Sequence, residues 1–70
     1  MPIINVQMLT GRTPDQKRKY IQELSRATTE TLGVPESAVH IVLTEVELDM
    51  WATGPKTMAE IRNAPAPTEP

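Results

Sequence analysis

Pro2 stands directly behind Met1 and opens the run Pro2-Ile3-Ile4-Asn5-Val6-Gln7-Met8. Removal of Met1 leaves a chain that starts with a secondary amine on a rigid ring whose φ is already fixed. In an apolar pocket such an amine is a candidate proton shuttle. Desolvation and nearby cations both penalise the ammonium form, and so bring the pKa toward the range where a general base works. While Met1 stays attached, the same nitrogen is an amide and no base. Proline at position two also favours plain methionine removal, so the position alone does not establish catalysis.

Three further side chains are candidates for the same chemistry. Arg12 follows Gly11, and a guanidinium is suited to gripping a carboxylate through two parallel hydrogen bonds, although a loop arginine is equally at home as a solvated cation. His40 is the only imidazole. A single histidine in a strand is commonly structural or exposed, and by itself it cannot make a metal site. Trp51 is the one large aromatic of the second half, open to three roles: pocket wall, subunit contact or core. Paired acids at metal-ligand spacing, a Ser/His/Asp arrangement and a phosphate-cradling glycine loop are missing from the sequence. No metal or organic cofactor is implied, and the case for catalysis rests on Pro2.

The elements that must position these residues are legible. Residues 2–9 read as a strand, rich in β-branched Ile3, Ile4 and Val6, with a break at Thr10-Gly11. Thr13, Pro14 and Gln16 then spell a helix start, as N-cap, first helical residue and capping-box partner. The helix is predicted to run to about Leu32 with Tyr20, Ile21, Leu24, Ala27, Thr28 and Leu32 as its apolar stripe and Gly33 closing it. Val34-Pro35-Glu36-Ser37 is a turn, and residues 39–46 read as a largely buried second strand. Strand, helix, strand predicts a β-α-β unit with parallel strands and a right-handed crossover. Residues 47–55 read as a loop with a turn at Gly54-Pro55, and Thr57 to Arg62 as a short helix or a strand-like arm. Residues 1–62 form the expected domain, and residues 63–70 a Pro-rich, flexible tail.

Seventy residues with one Trp, one Tyr and no Phe build only a thin core from Ile, Val, Leu and Met. Chains this short need staples. With no cysteine and one histidine, disulfides and a structural metal are ruled out, which leaves oligomerisation. The net charge of −2, with both signs interspersed, gives no electrostatic footprint for nucleic acid. Lys17, Arg18 and Lys19 read as a solvated basic cluster at the helix start. No stretch approaches a membrane span and the N-terminus does not read as a signal sequence, so a soluble, cytoplasmic protein is expected.

The layout as a whole is specific. Pro2-Ile3-Ile4, Gly11-Arg12-Thr13-Pro14-Asp15-Gln16-Lys17 entering a helix, Leu32-Gly33-Val34-Pro35, the strand His40 to Thr44 with Glu45 behind it, and an aromatic at 51 before a glycine turn resemble the short-chain 4-oxalocrotonate tautomerase family over roughly residues 2–62. The resemblance implies an α/β fold. Its β-α-β protomer pairs into a four-stranded sheet with two helices, and the dimers assemble into a hexamer of one chain type or two. It also implies Pro2 as general base, Arg12 as the arginine that binds a substrate carboxylate or polarises a carbonyl, and Trp51 as a pocket aromatic. At His40 this chain departs from the family pattern, where a second arginine is usual, so a permanent cation becomes a conditional one at a substrate-binding position.

The function these readings predict is keto-enol or 1,3-proton-shift isomerisation of a small enol or 2-oxo carboxylic acid. Alternatives within the family are proline-based dehalogenation, decarboxylation or a promiscuous addition. Dehalogenation calls for an acid near position 53, where this chain has Thr53, with Glu47 and Asp49 only close in sequence. A non-catalytic subunit of a tautomerase-like assembly is the alternative of a different class.

Overall fold

A computed structural model describes residues 1–63. The predicted tail lies, from residue 64 on, outside the described residues. Strand β1 (Ile3–Leu9) leads through a short loop into helix α1 (Pro14–Leu32), and strand β2 (His40–Val46) follows. β1 and β2 pair in parallel, with Ile3 opposite His40, Val6 opposite Leu43 and Leu9 opposite Val46. The chain is therefore a β-α-β unit.

Both ends of α1 form for the reasons its sequence gives. Thr13 is extended, at φ −72° and ψ 157°, its hydroxyl accepts from the Gln16 N–H at 3.1 Å, and the Gln16 side chain accepts from the Thr13 N–H at 3.0 Å. This reciprocal box satisfies two of the helix's orphan donors, and Pro14 needs none. At the far end Gly33 turns left-handed at φ 70° and its N–H donates to the Thr29 carbonyl at 3.0 Å. That conformation costs a residue with a Cβ about 1 kcal/mol or more.

Beyond β2 the chain holds more regular structure than the predicted loop. A 3-10 turn (Leu48–Met50) precedes a hairpin of β3 (Ala52–Thr53) and β4 (Lys56–Thr57), whose residues pair Ala52 with Thr57 and Thr53 with Lys56. The turn falls at Gly54-Pro55 as read. Gly54, at φ 61°, takes the first central position, where a type II′ hairpin turn needs glycine. Two-residue strands are too short to announce themselves by alternation. Helix α2 (Met58–Asn63) settles the open choice for Thr57 to Arg62. It starts on a second box: the Glu60 N–H donates to the Thr57 hydroxyl at 3.1 Å, and the Thr57 N–H donates to a Glu60 carboxylate oxygen at 2.8 Å.

Among the described residues none is fully buried. On β1 and β2 the side chains of Ile4, Val6, Met8, Ile41 and Leu43 are half-buried, while Ile3, Asn5, Gln7, His40, Val42 and Thr44 on the other face are exposed. Strand β2, read as largely buried, is thus half-open, with Val42 48% exposed. The α1 stripe divides in the same way: Leu24 and Thr28 are half-buried, whereas Tyr20, Ile21, Ala27 and Leu32 stay exposed. A single helix on a two-stranded sheet covers one face only, so apolar side chains on the other face await a further layer.

Candidate active site

The two ends of the parallel strand pair carry different candidates. At the N-terminal end, the Pro2 carbonyl accepts a hydrogen bond from the His40 backbone N–H at 3.1 Å. This contact extends the ladder one residue beyond Ile3 and fixes Pro2, half-buried, at the strand end. Met1 projects beyond it, 81% exposed. His40 begins β2 beside Ile3 on the open face, so its exposed imidazole and Pro2 share one end of the molecule.

Arg12 lies past the opposite end, where β2 also leaves the sheet and the chain continues toward Trp51. The Thr10 N–H donates to the Val46 carbonyl at 3.1 Å, the last rung between the strands. Gly11 then turns the chain at φ 126°, a region that L side chains rarely adopt. Arg12 follows, its Nη1 reaching the Leu9 carbonyl at a long 3.4 Å. Among the described residues no carboxylate lies within ion-pair distance of its guanidinium. Trp51, half-buried after the 3-10 turn, accepts from the Met58 N–H at 2.6 Å, which ties it to the start of α2.

The seven residues of β1 at about 3.3 Å each separate these ends by roughly 20 Å. A base and a carboxylate anchor for one small acid must sit within a few ångströms of the same molecule. One chain therefore brings Pro2 and His40 together at one end, leaves Arg12 at the other, and does not join them.

The Arg12 end also holds a cavity of about 410 Å³. Val6 and Met8 of β1 line one side, Gln16, Lys17 and Tyr20 of α1 the other, and Arg12 completes it. Lys17 is not a member of a purely solvated cluster. Its Nζ pairs with Glu45 Oε2 of β2 at 3.0 Å, both side chains about a third exposed. The partners stand 28 residues apart, a distance no local pattern bridges. Parity alone offered a signal: Glu45 is opposite Met8, which places it on the face that α1 covers. Tyr20, whose spacing puts it on the apolar stripe, likewise lines the cavity. Among the described residues no cluster of three potential metal ligands occurs, and no helix is long and apolar enough to cross a membrane.

Comparison with known proteins agrees with this architecture. A family model described as "Tautomerase enzyme" matches residues 2–61. The 2-hydroxymuconate tautomerase of Bacillus subtilis is 33% identical over 61 residues, which is 87% of this chain and 98% of that protein. A 4-oxalocrotonate tautomerase isozyme from Methylibium petroleiphilum superposes with a TM-score of 0.87 at 31% identity, covering 91% of this chain and all (100%) of the other. A heterohexamer 4-oxalocrotonate tautomerase from Chloroflexus aurantiacus gives a TM-score of 0.82 at 34% identity, over 89% of this chain and 100% of that one.

Proposed function

The chain belongs to the 4-oxalocrotonate tautomerase family and is a tautomerase-type isomerase, and from that premise we propose that Pro2 is its general base. The substrate class is a small enol or 2-oxo carboxylic acid, and no cofactor takes part. With Met1 removed, the Pro2 nitrogen accepts the proton of an enol hydroxyl or an α-carbon as the carbonyl or the enolate forms. It then returns that proton to another carbon, so that a double bond moves and the amine is restored. Arg12 holds the substrate carboxylate and stabilises the charge that develops on oxygen. Trp51 excludes water and keeps the amine's basicity low. His40 supplies a second, conditional cation for the acid.

The observation that carries this reading is the anchoring of Pro2: its carbonyl is held by the His40 N–H at 3.1 Å, which leaves its nitrogen at the strand end beyond the ladder. The roughly 20 Å between the strand ends adds a second requirement. Arg12 and Trp51 must come to a given Pro2 from another copy of the chain. Two β-α-β units lying antiparallel place the N-terminal end of one beside the C-terminal end of the other and build a four-stranded sheet. Further copies on the open faces complete a homohexamer, and the absence of any fully buried residue in the described chain supports that assembly. A domain of residues 1–62, acting in the cytoplasm, is the setting this function implies.

The test joins mass and activity. The mature chain should lack Met1, and Pro2→Ala should lower turnover of 2-hydroxymuconate by about two orders of magnitude or more. An alanine variant that is correctly processed, assembled and nearly as active as the parent removes Pro2 from the role of base. A parent that retains Met1 points instead to a non-catalytic subunit.

A further inference from the structure

We propose that Tyr20 is a second substrate contact in the Arg12 cleft, donating a hydrogen bond from its phenol to the carboxylate that Arg12 grips. The inference rests on the reading of Arg12 as carboxylate anchor and adds a residue that shares the anion with it.

Three observations carry it. Tyr20 and Arg12 line the same cavity of about 410 Å³, a volume in the range of small-molecule sites. Tyr20 stands roughly 9 Å along α1 from Pro14 at about 1.5 Å per residue, and a long helical side chain leans back over the turn that precedes it. That direction is toward Gln16, Lys17 and the loop that carries Arg12. The polar groups of α1 and this loop that line the cavity are unequally free. Gln16 Oε1 accepts from the Thr13 N–H at 3.0 Å, and Lys17 Nζ is paired with Glu45 at 3.0 Å. Among the described residues Arg12 has only the long 3.4 Å contact to the Leu9 carbonyl, and the Tyr20 hydroxyl has no hydrogen-bond partner. A guanidinium and a phenol are thus the groups left open to a ligand.

Packing alone does not account for Tyr20. On the stripe of α1, Leu24 and Thr28 are half-buried whereas Tyr20 is 40% exposed, so its ring lies outside the layer this chain covers. Ile21 and Leu32 of the same stripe are exposed too, but they line no part of the cavity and carry no donor. Tyrosine suits a place that is apolar on one side and wet on the other. Val6 and Met8 supply the apolar wall, and the phenolic O–H is the donor. A carboxylate has room for both partners, since its two oxygens offer about four lone-pair directions and a guanidinium gripping them in parallel uses two.

The experiment is Tyr20→Phe, which removes the hydroxyl and keeps the ring, with 2-hydroxymuconate as substrate and adipate, a saturated diacid with no enol to react, as competitive inhibitor. KM and the adipate inhibition constant should each rise about fivefold or more while kcat stays within about twofold of the parent, as a contact made equally in the ground and transition states requires. Tyr20 is the only tyrosine, which gives a second readout free of turnover. Isotope-labelled at the ring Cζ, its NMR signal in the parent should shift as adipate is added and stay in place with adipamide, the uncharged analogue. Unchanged KM and inhibition constant overturn the proposal, as does a fall in kcat alone or a Cζ signal that adipate leaves in place. If Tyr20→Phe fails to assemble, the titration of the parent decides by itself. Arg12→Ala separates the two levels of inference. If it leaves KM and the inhibition constant at the parent's values, Arg12 is not the anchor and the functional reading fails. If it raises both while Tyr20→Phe raises neither, only the Tyr20 assignment fails.

Discussion

The two ends of the parallel strand pair are unequal in a way that explains the molecule. At the N-terminal end the backbone does the positioning: Pro2 is held through its carbonyl by the His40 N–H. At the C-terminal end side chains do it, with Arg12, Lys17 and Tyr20 around a cavity and Glu45 fixing Lys17. The first end carries the candidate base. The second has a cleft and cations and no base. On the roles proposed for Pro2 and Arg12, ends roughly 20 Å apart make activity depend on a neighbouring copy.

Substitutions at each end should therefore fail differently. The largest loss belongs to Pro2→Ala, which removes the base and should lower kcat with little change in KM. Arg12→Ala should lower kcat/KM for a carboxylate substrate by about ten- to a hundredfold, carried largely by KM, since a charge-assisted hydrogen bond is worth roughly 1.5–3 kcal/mol. Steady-state kinetics on one substrate checks both. A KM effect at Pro2 and a pure kcat effect at Arg12 would reverse the assignment of the two ends.

His40 sharpens the comparison because it puts a conditional charge at the base's own end. His40→Arg should lower KM severalfold for a carboxylate substrate, because guanidinium is a permanent cation and imidazole a conditional one. An unchanged KM would place His40 outside the site and leave Arg12 as the only carboxylate anchor.

The smallest effect is expected at α2, which secures Trp51. Hydrogen bonds from the Thr57 N–H and hydroxyl hold the Glu60 carboxyl below its usual range. A depressed carboxylate stabilises the fold above its unfolded pKa and loses that contribution as pH falls through the folded value. Acidification below the ordinary carboxylate range should thus loosen the start of α2. The single Trp51, whose carbonyl accepts from Met58 at 2.6 Å, should report this in its emission. Glu60→Gln retains an acceptor oxygen and cannot be protonated, so it should flatten the acid limb. An unaltered acid limb would detach Glu60 from the order around Trp51.

The local parts of this architecture were legible in the sequence because local physics fixes them. Thr13-Pro14 with Gln16 names a helix start, Gly33 its end, and β-branched runs on either side leave parallel pairing as the short solution. Gly54-Pro55 marked its turn, but the two-residue strands flanking it carry no periodicity to read. The Lys17–Glu45 contact left only the trace of strand parity in the sequence, because it depends on the packing of α1 against β2, which brings residues 28 apart to 3.0 Å. The stripe on α1 was read as one surface because hydrophobic spacing records that a side chain will be covered and not by which layer. Pro2, Arg12, His40 and Trp51 were found by residue type and family pattern, whereas their division between two ends is a consequence of strand length and direction.

That division is the central claim, and subunit mixing tests it most directly. Pro2→Ala and Arg12→Ala chains, each nearly inactive alone, are unfolded together and reassembled in equal amounts, with mixed oligomers verified by native mass spectrometry. If every site draws Pro2 from one copy and Arg12 from another, about one site in four regains both residues by random assortment, and activity should rise toward that fraction of the parent's. If Pro2 and Arg12 of the same chain made the site, no combination would restore it, and a mixed oligomer as inactive as its separate components would contradict the account.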